Sequence, residues 1–190
     1  SGRFIFANPM KYRGIIRLTS TTMPATTRRW GAYTSTGTPP VPVDGYYFEY
    51  NGDTSTLSVN SRNNGGTVNT VASGSFNGNI SQYTVDTNAH AYEIVYFLGK
   101  AQFFIDDVLA HTFTPTSSLL SATCTLPIQA TSAHGAAGTT TATMEMWAGT
   151  ILRLGRDISA PISKNIAGAV TAQVLKSTSG LLRNITVNSN

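Results

Sequence analysis

The segment from Ala89 to Pro115 reads AHAYEIVYFLGKAQFFIDDVLAHTFTP, and it decides the fold. Aromatic and β-branched residues fill two runs, YEIVYFL and AQFFIDDVLAHTF, on either side of a Gly-Lys pair. Such residues fit a pleated, half-buried surface. Glycine between two β-prone runs marks a turn. Both runs are apolar on both faces in places, so the spacing predicts two neighbouring strands in the middle of a sheet.

The same texture extends outward. GIIRLTST from Gly14 and RRWGAYTST from Arg28 are predicted strands. GTPPVPVDG from Gly37 is predicted to be a loop, because proline brings no ladder donor. YYFEYNGDTSTLSVNSRNNGG from Tyr46 reads as a hairpin turning at Asn51-Gly52, with Asn63–Gly66 closing its second strand. GTVNTVASGSF, SATCTLPIQATS and TTTATMEMWAGTILRLG supply the remaining strands. The threonine run fits a half-exposed strand, since Thr is β-branched. Gly, Pro, Asn and Ser punctuate the chain too often for long helices.

The 190 residues suffice for one sizeable sandwich core. After Gly155 the aromatics stop. Two domains are therefore expected: a sandwich over residues 1–156, and over 157–190 a short β extension or the start of a second module. In that tail, AVTAQVLKSTSGLLRNITVN reads as two short strands around STSG. A lone hairpin is barely stable, so further residues or another subunit are expected to complete it.

Charged residues make up only 12% of the chain, and the surface is rich in hydroxyls and amides. Net charge is +4. Arg3, Lys11, Arg13, Arg17, Arg28 and Arg29 all precede the first acid, Asp44, but they are dispersed, so no nucleic-acid partner is expected. The single cysteine, Cys124, sits among small and apolar neighbours and reads as a core thiol. No apolar run reaches membrane-spanning length, and the start SGRFIF has neither the charged opening nor the apolar stretch of a secretory leader.

The aromatics around Arg28–Tyr50 have two readings. At strand period, Tyr46, Phe48 and Tyr50 share one face and Tyr47 and Glu49 the other, while Trp30 points opposite to Tyr33. One face of each strand then feeds a core. The other reading is a sugar-stacking surface, for which Trp30, Tyr33, Tyr46 and Tyr47 are the candidate residues.

Catalytic patterns are weak. Glycoside hydrolysis needs two carboxylates at a set separation. Of nine acids, only Glu93 and Glu145 are eligible, provided that folding brings them together. Asp106 and Asp107 are adjacent and read as a turn. His90, His111 and His134 show no metal-ligand spacing. There is no G-x-S-x-G elbow and no G-K-[ST] phosphate loop. No enzyme, cofactor or metal is expected.

The order of segments resembles the concanavalin A-like (laminin G-like) jelly-roll domains of virion proteins from tailed phages and large viruses. The resemblance is carried by WGAY, then DGYYFEYNGDTSTLSVNSRNNGG, FNGN, YEIVYFLGKAQFFIDDVLAHTF, CTLPIQATS and TTTATMEM, and it covers Gly14 to Gly155. Two positions depart from the pattern: Asp106-Asp107 stands where Asp-Gly is usual, and Phe76 where Trp is usual. The tail is similar to the opening of small β modules at the ends of phage structural proteins. The resemblance implies an all-β, two-sheet antiparallel jelly-roll sandwich. It also implies a virion component, serving as capsid decoration, tail fibre or adsorption protein. Other virion proteins, further copies of the chain and cell-surface glycans would be its partners, without membrane insertion. The family carries no universal catalytic set, so no active site is transferred. A free carbohydrate-binding module or lectin, and a glycoside hydrolase, are the alternative readings.

Overall fold

The structure, a computed structural model, describes residues 3–5, 9–63, 67–97, 100–114, 125–135 and 143–154. All belong to one compact unit, Ser1–Gly155. Cys124, the threonines at 139–141 and the expected extension over 157–190 lie outside the described residues.

Eleven strands are described: β1 (Arg3–Ile5), β2 (Met10–Leu18), β3 (Thr26–Thr36), β4 (Val41–Asn51), β5 (Thr56–Asn63), β6 (Thr67–Ala72), β7 (Ala89–Phe97), β8 (Lys100–Ile105), β9 (Val108–Phe113), β10 (Thr125–His134) and β11 (Met144–Arg153). They form a six-stranded sheet, β1-β10-β3-β4-β5-β6, and a five-stranded sheet, β11-β2-β7-β8-β9. Every pairing is antiparallel. An all-β jelly-roll sandwich is thus the architecture of the described residues.

The alternation of side chains along each strand builds the core. Tyr12, Ile16 and Leu18 from β2 and Tyr92 and Ile94 from β7 meet Trp30, Tyr46, Phe48, Tyr50, Leu57 and Val59 from the other sheet. Aromatic rings carry the contact. Trp30 meets Tyr92 edge-on at 4.9 Å, and Phe48 meets Phe103 edge-on at 5.2 Å. These are favoured aromatic geometries.

Three local expectations are corrected. First, AQFFIDDVLAHTF is not one strand, because the turn read at Asp106-Asp107 divides it into β8 and β9. Ile105 pairs with Val108 across a two-residue turn, in which Asp106 and Asp107 both have positive φ, 48° and 65°. That is the type I′ geometry of tight hairpins, and Asp tolerates it better than most residues. Second, the loop after β3 ends at Pro40, and β4 already starts at Val41. A register shift between Thr34 and Ser35 sets Pro42 opposite Ser35, and proline is accepted at such a bulge. Third, the β4–β5 hairpin does not turn on Asn51-Gly52 alone. Asn51 pairs with Thr56, and its side-chain Oδ1 accepts from the backbone N–H groups of Asp53 (2.9 Å) and Thr54 (3.3 Å).

The FNGN segment flanks β9. Backbone N–H groups of Gly78 and Asn79 donate to Ala110 O (2.8 Å) and Leu109 O (2.7 Å). Thr112 N donates to Asn77 Oδ1 (2.7 Å), and Asn77 Nδ2 donates to Thr112 O (3.1 Å). An exposed edge is thereby paired, which guards it against adventitious pairing. Phe76 is buried in the core where the resemblance expects Trp.

Candidate functional site

The four aromatic candidates divide between two faces of one sheet. Trp30 and Tyr46 have no exposed surface and belong to the core, so neither ring is open to a sugar. Their strand phase puts them with Phe48, facing the opposite sheet. Tyr33 and Tyr47 lie on the outer face, with ring centroids 5.1 Å apart. They too are covered, at 0% and 3% exposure. Burial pushes both phenols up to about 12, with nearby Glu49 adding to the rise at Tyr47. Tyr33 Oη shares a hydrogen bond with Thr131 Oγ1 (2.7 Å). Neither tyrosine therefore offers an open stacking plane, and of the two only Tyr47 lines the site beside them.

The site beside them is a hollow of about 240 Å³ lined by Arg29, Val41, Pro42, Tyr47, Glu49, Asn60, Arg62 and Thr70. Strand register assembles it. Arg29 stands directly opposite Glu49 on the neighbouring strand, and Arg29 Nε donates to Glu49 Oε2 at 2.5 Å. Asn60 stands opposite both Tyr47 and Thr70. Thr70 Oγ1 donates to Asn60 Oδ1 (2.7 Å), and Asn60 Nδ2 donates to Ser58 Oγ (3.1 Å).

The proline-rich segment forms one wall. Its carbonyls are pinned by the two arginines: Arg29 Nη1 donates to Pro40 O (3.1 Å), and Arg62 Nη1 donates to Pro42 O. The Arg62 Nε is buried without an acceptor. The lining thus combines two guanidinium groups, one carboxylate, an amide and a hydroxyl, held by mutual hydrogen bonds.

Of these residues, Arg29 figured in the sequence only as a dispersed base, and Asn60, Arg62 and Thr70 were not singled out. Their signal was the period-2 polar set Ser58, Asn60, Arg62 alternating with Leu57 and Val59. The Arg29–Glu49 pair depends on register between strands, which no spacing within one strand reveals.

The other expected chemistry is dispersed. Glu93 and Glu145 lie on the outer face of the five-stranded sheet, opposite Arg13 and Arg17 of β2. Two strand spacings and four residue steps put them about 16 Å apart. Glycosidase carboxylates stand roughly 5–9.5 Å apart. Glu93 is instead held by Lys11 Nζ (2.7 Å) and Arg13 Nη1 (2.8 Å), and Glu145 by Arg17. The same pairs neutralise the basic residues of β2, while Arg28 is buried beneath Tyr50 with its ring centroid 6.0 Å away. Among the described residues no group of three His, Cys, Asp or Glu is placed to hold a metal ion.

His90 is bracketed by carboxylates, with Nδ1 at 2.6 Å from Asp106 Oδ2 and Nε2 at 2.9 Å from Asp86 Oδ1. Burial lowers its pKa, but the two hydrogen bonds and charges outweigh burial and raise it overall. Burial alone lowers that of His111.

No protein-family model and no curated protein matches the chain. Solved structures do. The fold is similar to Bacillus licheniformis β-glucanase, with a TM-score of 0.52 at 16% identity over 75% of this chain and 64% of that one. It is similar to the binding domain of botulinum neurotoxin serotype D/C VPI 5993, with a TM-score of 0.51 at 11% identity over 77% of this chain and 33% of that one. A further neighbour is the binding domain of botulinum neurotoxin DC in complex with rat synaptotagmin II, with a TM-score of 0.50 at 9% identity, covering 77% and 32%. The chain spans about a third of the length of the toxin chains and 64% of the glucanase. At these identities the likeness carries the fold, and what it shows is a jelly-roll β-sandwich.

Proposed function

We propose that the chain is a non-enzymatic sugar-binding sandwich of a virion, and that the hollow on its six-stranded sheet receives one saccharide unit. The observation that carries the sugar reading is the lining. Arg29, Glu49, Asn60, Arg62 and Thr70 present oriented donors and acceptors around a small space beside Tyr47. Hydroxyl-rich ligands need such a set, because each buried polar group must find a partner. The volume falls below the roughly 300–1,000 Å³ of a drug-sized pocket, which suits a single unit or chain end. The β-glucanase neighbour is named for a carbohydrate, but that likeness rests on the fold, and fold alone assigns no function.

The non-enzymatic reading is supported by the single, arginine-paired carboxylate of the hollow and by the wide separation of Glu93 and Glu145. The virion reading rests on the order of segments from Gly14 to Gly155. On that reading the chain is a decoration, fibre or adsorption component that assembles with further copies of itself and other virion proteins. Residues 157–190 then begin a second β module.

A glycan-array screen of the purified chain tests the sugar reading, repeated with Arg62→Met and Thr70→Val. Saturable binding to one glycan class, weakened at least tenfold by Arg62→Met, is the expected result. A folded chain that binds no glycan, or one that both substitutions leave unaffected, overturns it. Mass in solution tests assembly: a defined oligomer is expected, and a monomer at all concentrations removes the self-assembling role.

A further inference from the structure

Trp147 sits where the register between β11 and β2 slips, between Met146 and Ala148. A bulge leaves one residue unpaired and re-aims its side chain. Here the indole is 64% exposed, the most exposed large apolar side chain among the described residues. Leaving such a surface in water forgoes its burial energy.

The ring is nevertheless held. Its Nε1–H donates to Glu145 Oε2 at 2.9 Å. Both oxygens of Glu145 accept from Arg17 Nη1 at 3.3 Å, and Arg17 Nε donates to Thr87 O at 2.9 Å. Arg17 and Glu145 face each other in register. A relay from Thr87 through Arg17 and Glu145 therefore sets the plane of the indole.

Its surroundings are polar. The Arg17 and Glu145 side chains are 40% and 41% exposed. Met146, the adjacent apolar side chain, is 36% exposed, and its Cε lies over Gly149, which leaves only a small apolar surface beside the indole. Leu152 is five residues on, about 17 Å along the strand. A protein-docking face would need a broader contiguous apolar patch. A flat ring rimmed by one carboxylate and one guanidinium matches a sugar, which has an apolar CH face and hydroxyls at its edge.

We propose that Trp147, Glu145 and Arg17 form a second sugar site on the other sheet: the CH face of a pyranose stacks on the indole, while Glu145 accepts from and Arg17 donates to its hydroxyls. The ring is already oriented, so little side-chain freedom is lost on binding. The bonds from Trp147 and Arg17 hold the Glu145 carboxyl below its usual range, which keeps it an acceptor at neutral pH. This site does not depend on the hollow.

The test is a nitrogen-15 NMR titration of the full chain with methyl β-glucopyranoside, methyl β-galactopyranoside, methyl α-mannopyranoside and N-acetylglucosamine. The chain has two indole N–H signals, one from buried Trp30 and one from Trp147. With at least one of the four sugars, the Trp147 signal is expected to shift saturably with a millimolar Kd while the Trp30 signal stays still. Trp147→Ala should abolish the accompanying shifts of the Arg17 and Glu145 amides, and Trp147→Phe should weaken binding several-fold. Arg62→Met, in the hollow, should leave this titration unchanged. No saturable shift with any of the four sugars overturns the proposal. So do amide shifts that survive Trp147→Ala. A sugar-independent dimer in sedimentation that Trp147→Ala dissolves assigns this face to a second copy and likewise overturns it.

Discussion

The imidazole of His90 lies 2.6 Å from the carboxylate of Asp106, the first residue of the β8–β9 turn. Asp106 also accepts from the backbone N–H of Ala91 (2.9 Å), and its own N–H donates to Ala91 O (2.8 Å). One acid thus locks a tight turn to the neighbouring strand, and His90 carries the lock on to Asp86.

The raised pKa of His90 makes stability depend on pH. A folded-state value above the unfolded 6.5 means that the folded protein binds the proton more tightly. The stabilisation is complete below about pH 6.5 and is lost as pH rises through the folded value. Asp86 acts in the opposite sense. Its pKa falls from 3.8 to about 2, chiefly through the His90 bond, so its contribution is present above pH 3.8 and lost as pH falls through 2. Urea titrations from pH 5 to pH 9 should show a decline that His90→Gln flattens, with a loss of about 1–2 kcal/mol at pH 5. A wild-type profile that is flat over this range contradicts the assignment.

The two turn aspartates should respond oppositely to glycine. Asp107 has φ of 65° and its side chain is 73% exposed. Its 3.6 Å pair with Arg13 is exposed and worth little. Asp107→Gly relieves the backbone and should stabilise by about 0.5 kcal/mol. Asp106→Gly removes the bonds to Ala91 and His90 and should destabilise. Thermal melting of the two variants side by side decides the matter.

Gly78 should accept no side chain. A Cβ there would stand 2.3 Å from Leu109 O and 2.6 Å from Ala110 O, both backbone atoms of β9. Gly78→Ala must push the FNGN segment away from that strand, at about 1–3 kcal/mol. Faster amide exchange at Gly78 and Asn79 would accompany the loss, and unchanged exchange would contradict it.

Core and hollow should separate cleanly by substitution. Trp30→Ala deletes a fully buried ring and should cost about 3–5 kcal/mol without altering glycan affinity per folded molecule. Arg62→Met should do the reverse, leaving the melting temperature within a few degrees while weakening binding. Parallel calorimetry and binding measurements check both.

Much of this was legible in the chain. The alternation in YYFEY assigned Tyr46, Phe48 and Tyr50 to one face and Tyr47 and Glu49 to the other, as the structure has them. The run from Ala89 placed β7 in mid-sheet. Two features of the hairpins were legible only in part. The turn at Asp106-Asp107 was legible from its aspartates, but not its consequence, that AQFFIDDVLAHTF divides there into two paired strands. Proline suggested a loop, but the bulge opposite Ser35 lets Pro42 join β4 without a ladder donor.

Periodicity by itself determined that these side chains alternate, because a strand repeats every two residues whatever surrounds it. It did not determine which face meets the other sheet, and so Trp30 and Tyr46 stood beside Tyr33 and Tyr47 as equal candidates. Only the tertiary structure decided that. Pairing across strands brought Arg29 to Glu49 and Asn60 to Thr70, residues 20 and 10 positions apart. Packing of one sheet on the other claimed the Trp30 face. A slip of one residue against β2 turned Trp147 outward. Each of these outcomes depends on register between distant segments, a relation that local sequence does not encode.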